Sequence, residues 1–264
     1  MKGRVLVIAG SDSGGGAGIQ ADIKTITVLG AFAATAITAL TAQNTLGVHA
    51  VYPVPADFVT RQIKVVLEDI GADCIKIGML ADASIIAAVA AALSSHAAGI
   101  PVVLDPVMVA KGGASLLDPA ALDRMKRQMV PLASVLTPNL PEAESLTGMR
   151  IDDFAAMHRA ALALLALGAP AVLLKGGHLP GDLIIDILAT RQGIEAFSSP
   201  RIESRHTHGT GCTLASALAA GLAQGMNLRA AVVRARSYVQ AAIAAAPGFG
   251  SGFGPLNHAV RLAE

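Results

Sequence analysis

The chain has 264 residues, 53% of them hydrophobic and only 15% charged, with a formal net charge of +1. That much apolar material excludes a disordered chain, and the balanced charge leaves no electrostatic footprint for nucleic acid or an anionic membrane. The longest alanine-rich stretch, 160–174, is interrupted by Gly168 and Pro170 and falls short of a bilayer span.

Met1-Lys2-Gly3-Arg4 leads straight into an apolar run at 5–9, which predicts a first strand, no cleavable leader and a cytoplasmic protein. From there, short apolar runs alternate with longer segments of helical period. The runs at 5–9, 74–77, 101–104, 134–136, 171–174 and 183–188 predict strands. The segments 18–29, 56–70, 83–98, 119–129, 153–167, 211–224 and 228–245 predict helices. Asp118-Pro119 reads as a cap followed by proline at the first helical position, and Gly30, Gly71, Gly99 and Gly168 stand where C-caps belong. This alternation predicts a mostly parallel sheet covered on both faces. One region departs from it: 33–40 and 47–54 are β-prone and joined by Thr41-Ala42-Gln43-Asn44-Thr45-Leu46, which predicts a small antiparallel insertion. No repeat, linker or compositional shift marks a boundary, so 1–264 reads as one doubly wound domain.

In such sheets ligands collect beyond the carboxyl ends of the strands. Polar, glycine-bearing turns fall there: Gly10-Ser11-Asp12-Ser13-Gly14, Gly78-Met79, Asp105-Pro106-Val107, Thr137-Pro138-Asn139 and Lys175-Gly176-Gly177-His178. Together they predict a single rim. A further turn, Thr207-His208-Gly209-Thr210-Gly211-Cys212-Thr213, runs into an apolar helix. Glycines admit close backbone approach and the first amides of a helix have no intrahelical partner, so this turn predicts a cup for a phosphate. Cys212 is a nucleophile or base candidate whose thiol pKa the helix dipole is expected to depress.

Other residues carry two readings each. Lys175 offers a phosphate contact or is a solvated lysine before a turn. Asn139 and Glu142 have capping-box spacing, or flank a hydrated Mg²⁺ with Asp105 as a further carboxylate; Asp105-Pro106 is also an ordinary turn pair. Gln43 can present donor and acceptor to a ring or satisfy a buried edge. Met79 and Val107 are core residues or pocket walls, and Cys74 is a packed small hydrophobe. The stretch 16–21 fits a dinucleotide pattern, but no Asp or Glu lies between Asp22 and Asp57 to hold a ribose, and a Walker A loop is missing too.

The motifs at 9–25, 38–45, 76–80, 104–108, 137–143, 175–178 and 207–213 follow one another over essentially the whole chain. Their order resembles the hydroxymethylpyrimidine kinase/phosphomethylpyrimidine kinase family of thiamine biosynthesis, within the ribokinase-like superfamily. The resemblance implies a three-layer α/β/α sandwich, a homodimer, and transfer of the ATP γ-phosphate to 4-amino-5-hydroxymethyl-2-methylpyrimidine and then to its monophosphate. It implies that Gln43 holds the aminopyrimidine edge, with Gly10, Asp22, Met79 and Val107 around the ring. Asn139, Thr207, Thr210 and Lys175 would meet ATP, and Asp105 and Glu142 would face Mg²⁺. The turn with Gly209 and Gly211 would hold the moving phosphoryl, with Lys175 sharing its charge. Cys212 stands where most ribokinase-like enzymes carry Asp, as a general base or as a group that positions the alcohol. A pyridoxal kinase of the same superfamily is the alternative; a silent vitamin-binding regulator is opposed by the intact Lys175, Asn139, Glu142 and Cys212.

Overall fold

The computed structural model describes residues 1–108 and 119–262. Its first strand, β1 (Arg4–Asp12), is buried along almost its whole length, as a central parallel strand must be. Its side chains alternate between two cores. Val5, Val7 and Ala9 join one apolar cluster, Leu6 and Ile8 the other. β4 (Cys74–Ile77), β5 (Val102–Leu104), β6 (Val135–Leu136) and β7 (Ala171–Leu174) continue the sheet in parallel on one side. β2 (Phe32–Asn44) and β3 (Gly47–Pro53) flank β1 on the other, and β8 (Leu183–Thr190) and β9 (Gly193–Pro200) close the far edge as antiparallel strands.

Helices α1 (Gly18–Val28), α7 (Thr210–Ala223) and α8 (Leu228–Ala244) cover one face through Ile26, Leu218, Val232 and Tyr238. The opposite face takes α2 (Ala56–Asp69), α3 (Ala83–His96), α5 (Leu140–Thr147) and α6 (Phe154–Ala166) through Ile63, Ile86, Leu146 and Leu164. The architecture is the expected three-layer sandwich. Among the described residues, no helix is long and apolar enough to cross a membrane.

Four details differ from the sequence reading. β2 is a regular member of the main sheet, parallel to β1 from Phe32 to Thr41 with a register shift after Ile37; only its second half, from Ala39, also pairs antiparallel with β3. β9 was not foreseen, because Glu195, Ser198 and Ser199 dilute its apolar alternation and the strand draws its order from pairing with β8. α5 follows from the capping box alone: Glu142 N donates to Asn139 Oδ1 (2.9 Å) and Asn139 N to Glu142 Oε2 (2.8 Å). The helix expected over 119–129 is α4 (Pro119–Arg124) continued by a π-helical turn over Met125–Met129 and a 3-10 turn over Val130–Leu132. Its expected cap, Asp118, lies outside the described residues.

Candidate active site

A cavity of about 700 Å³ opens at the carboxyl ends of the parallel strands. The turns that chain order places far apart meet there. β1 contributes Gly10 and Asp12; the turns after β4, β5 and β7 bring Met79, Asp105 with Val107, and Lys175; Asn139 and Glu142 arrive at the start of α5. Gln43 reaches in from the end of β2, and Thr207, Gly209, Thr210, Gly211 and Cys212 form the wall ahead of α7. Of the residues picked from the sequence, Asp22 alone does not line this space.

The turn before α7 is shaped for its neighbours. Gly209 is the N-cap, at φ +83, in the left-handed region that favours glycine, and α7 has no side-chain cap. A Cβ there would run into the carbonyl oxygen of Gly16. Thr210 Oγ1 donates to Thr207 O (2.7 Å), closing the turn. A Cβ on Gly211 would lie 3.2 Å from Lys175 Nζ and 3.4 Å from Asp105 Oδ2, so the missing side chain keeps the ammonium close to the turn.

Asp12, which the motif reading passed over, ties two glycine turns together. Its carboxylate accepts from the amides of Gly14 (2.8 Å), Gly16 (3.0 Å) and Ala17 (2.8 Å) and lies 3.0 Å from His208 Nε2. Burial alone would raise its pKa, but His208 and those amides outweigh it and hold the carboxyl below its ordinary range. Gln43 joins the same group: its Nε2 lies 3.2 Å from His208 Nε2, and Thr41 Oγ1 donates to its Oε1 (3.1 Å). The signal for Asp12 was a carboxylate inside a glycine-rich turn, where it can only serve backbone amides or a ligand.

On the opposite wall, Lys175 Nζ donates to Asp105 Oδ1 (2.8 Å), which also accepts from Thr137 Oγ1 (3.1 Å). Burial works against the ammonium, but Asp105 and Glu142 hold it charged, above its ordinary range. Glu142 goes the other way. Burial pushes its carboxyl up to about 7, with Lys175 pulling it back and Asp105 adding to the rise. Among the described residues no group of three or more His, Cys, Asp or Glu is arranged to hold a metal.

Two expectations need correction. The Cys212 thiol is not depressed by the helix start: burial pushes it up to about 11, Lys76 opposes that, and Asp22 and Asp105 reinforce it. Loss of water outweighs a half-charge of helix dipole. Asp22 does not border the ring site. It is fully buried beneath the floor, where Lys76 Nζ donates to both of its oxygens (2.9 and 2.9 Å) and Ser216 Oγ donates to Oδ1 (2.6 Å). The signal for Lys76 was a lysine in the otherwise apolar run Cys74-Ile75-Lys76-Ile77.

Residues 12–257 match the family model described as phosphomethylpyrimidine kinase. The chain is 53% identical to the thiamine biosynthesis bifunctional protein ThiED of Geobacter sulfurreducens, over 97% of this chain and 52% of that protein, so it spans about half the length of that relative. It is 47% identical to the hydroxymethylpyrimidine/phosphomethylpyrimidine kinase of Streptomyces coelicolor, over 98% of this chain and 96% of that one. Among solved structures it is similar to an ADP complex of Bacillus subtilis pyridoxal kinase, with a TM-score of 0.90, 35% identity and 98% of each chain covered.

Proposed function

The chain belongs to the phosphomethylpyrimidine kinase family, with its ribokinase-like fold, and from that premise we propose how its own residues serve the reaction. It transfers the ATP γ-phosphate to the hydroxymethyl oxygen of 4-amino-5-hydroxymethyl-2-methylpyrimidine, and then phosphorylates the monophosphate. The observation that supports this most is the placing of the Gly209–Cys212 turn, Lys175 and Gln43 on one cavity. A small neutral ring is held by shape and a few aligned hydrogen bonds, which Gln43, Gly10, Met79 and Val107 supply. ATP enters past Asn139, Thr207 and Thr210. The amides at the start of α7 and the Lys175 ammonium take up the charge of the moving phosphoryl group. Transfer of this loose type depends chiefly on positioning and charge neutralisation. The Cys212 sulfur stands beside the reacting alcohol; as thiolate it takes the hydroxyl proton, and as thiol it aligns the oxygen.

Glu142 and Asp105 fit a hydrated Mg²⁺, which is held by one or two carboxylates plus phosphates rather than by a cage of side chains. The placing of the two carboxylates on one cavity wall beside Lys175 is the observation that favours it. When bound, Mg²⁺ would neutralise phosphate oxygens. With the cation absent, Glu142 binds its proton more tightly folded than unfolded, so as pH rises from about 4.5 to about 7 the fold loses stability. A Glu142→Gln protein keeps the capping pattern and lacks this titration. Its melting temperature, measured without Mg²⁺, is expected to match the parent at pH 4 and exceed it at pH 8; equal values at both would remove the argument.

Gln43→Ala is expected to raise the pyrimidine Kd about tenfold, the scale of one lost hydrogen bond, while ATP affinity stays level. Calorimetry with each ligand separately reads both. The activity itself is tested by ATP consumption dependent on added hydroxymethylpyrimidine, with mass analysis for mono- and diphosphate. Pyridoxal is the second substrate to try, favoured by the likeness to a pyridoxal kinase; kcat/KM for the two alcohols in competition ranks them. A cytoplasmic homodimer fits this reading, and exposed Leu40, Val51 and Tyr52 give the β2–β3 arm an apolar surface to cover.

A further inference from the structure

One wall of the cavity has its shape held from behind. Between β7 and β8 runs the segment 175–182, longer than the roughly two to five residues that usually join antiparallel neighbours. Lys175, Gly177 and His178 of this loop border the cavity; Leu179 and Gly181 do not. The loop is tied down along its length. At its start, Gly176 N donates to Asp186 Oδ1 (2.9 Å), and Arg236 Nε donates to the other oxygen of Asp186 (2.8 Å). A Cβ on Gly176 would strike the Ile185 carbonyl oxygen, so the turn after Lys175 presses directly on β8. The remainder is gathered by a single side chain. Arg201, next after β9, donates from Nη1 to Gly177 O (3.0 Å), from Nη2 to Leu179 O (2.5 Å) and from Nε to Gly181 O (2.7 Å). Its own amide donates to Asp182 O (2.7 Å), which fixes where the side chain starts.

Surface carbonyls are satisfied by water just as well, so stability alone does not ask for three of them on one guanidinium. Arg201 itself does not border the cavity. The carbonyl oxygens it holds are therefore drawn behind the wall, away from the space where Lys175 offers its positive charge. An oxygen turned inward there would carry negative charge toward a phosphate chain and repel it. Gly177 leaves room on the same stretch, since a Cβ there would meet nothing within 4 Å. We propose that Arg201 is a positioning residue for the nucleotide: it withdraws the carbonyls of Gly177, Leu179 and Gly181 and presets the loop so that Gly177 and His178 receive the phosphate chain beside Lys175, an assignment that rests on the kinase reading. A planar guanidinium with its donors in a fixed fork meets three carbonyls at once; an ammonium on a similar stem does not.

The test reads nucleotide binding rather than turnover. Arg201→Met keeps an unbranched stem without its donors. Calorimetry in the presence of Mg²⁺ is expected to show its Kd for ATP raised about tenfold, as for a loop that takes its binding shape about a tenth of the time. The Kd for hydroxymethylpyrimidine is expected to stay level. Arg201→Lys is expected to behave as Arg201→Met does. Loss of a merely structural clamp would lower the melting temperature and leave ATP affinity as it was. Hydrogen exchange of the peptide spanning 175–182 gives a second readout: ATP is expected to slow it in the parent protein, and Arg201→Met to speed it without ATP. Should the variants not fold, exchange in the parent decides by itself. An unchanged ATP Kd in Arg201→Met, equal weakening of both ligands, parent affinity in Arg201→Lys, or no slowing by ATP at 175–182 overturns the proposal. ATP binding that depends on Arg201 without pyrimidine-dependent ATP consumption would instead strike the kinase reading alone.

Discussion

Replacing Cys212 by alanine is expected to lower kcat by about 10²- to 10⁴-fold, the range of a lost general base, with the fold intact. Cys212 is the third residue of α7, and alanine is the best helix former, so the helix start survives the change. The variant loses only the sulfur. Cys212→Ser then separates the two roles open to that atom. A hydroxyl can align the alcohol as a thiol does but is far harder to ionise, so a group that only positions would keep most of its rate as serine. A base would lose nearly as much as in alanine. Steady-state kcat with saturating ATP and hydroxymethylpyrimidine, beside thermal melts, decides between them; parent turnover in Cys212→Ala would end the assignment of either role. The thiol, pushed up to about 11 by desolvation, makes the outcome informative, because a thiolate in such surroundings needs a compensating charge.

Gly209→Ala is expected to lower kcat by about 10²- to 10³-fold, the effect of losing one preorganised anion donor, and to lower the melting temperature as well. Two independent faults combine. An L-residue at φ +83 carries strain of about 1–3 kcal/mol, and the new Cβ would strike the Gly16 carbonyl, forcing apart two turns that Asp12 and His208 hold together. Gly211→Ala is the graded control. Its Cβ meets only the ends of Lys175 and Asp105, which can give way, so turnover should fall with little loss of stability. Melts and kcat/KM on the two variants make the comparison. Parent-like turnover in Gly209→Ala would mean that the turn is not where the phosphoryl group is held.

Much of this fold was legible because parallel strands buried on both faces read as short apolar runs: 74–77 and 171–174 coincide with β4 and β7. The punctuation was equally direct, since Gly30, Gly71, Gly99 and Gly168 all adopt positive φ at the ends expected of them. β9 escaped, because an edge strand with one solvated face needs little apolar alternation once β8 supplies its hydrogen bonds. The line between β2 and its hairpin arm escaped too, since parallel and antiparallel pairing ask for the same residue types. At the site, the residues that carry glycine, lysine or carboxylate at strand ends were found by position alone. Asp12, His208, Lys76 and Ser216 were not, because each matters through a partner as far as 196 residues away.

Residue order by itself determined the alternation of strands and helices, the turns at the strand ends and the glycine cup before α7, because each depends on neighbours a few positions apart. What each charged group does was decided only by the tertiary structure. Whether Asp22 meets a ligand or a lysine, and whether the Cys212 sulfur is eased or hindered in losing its proton, depends on how much water the surrounding layers exclude and which charges remain close. Those are properties of packing, in which desolvation and short-range Coulomb interactions outweigh any local pattern.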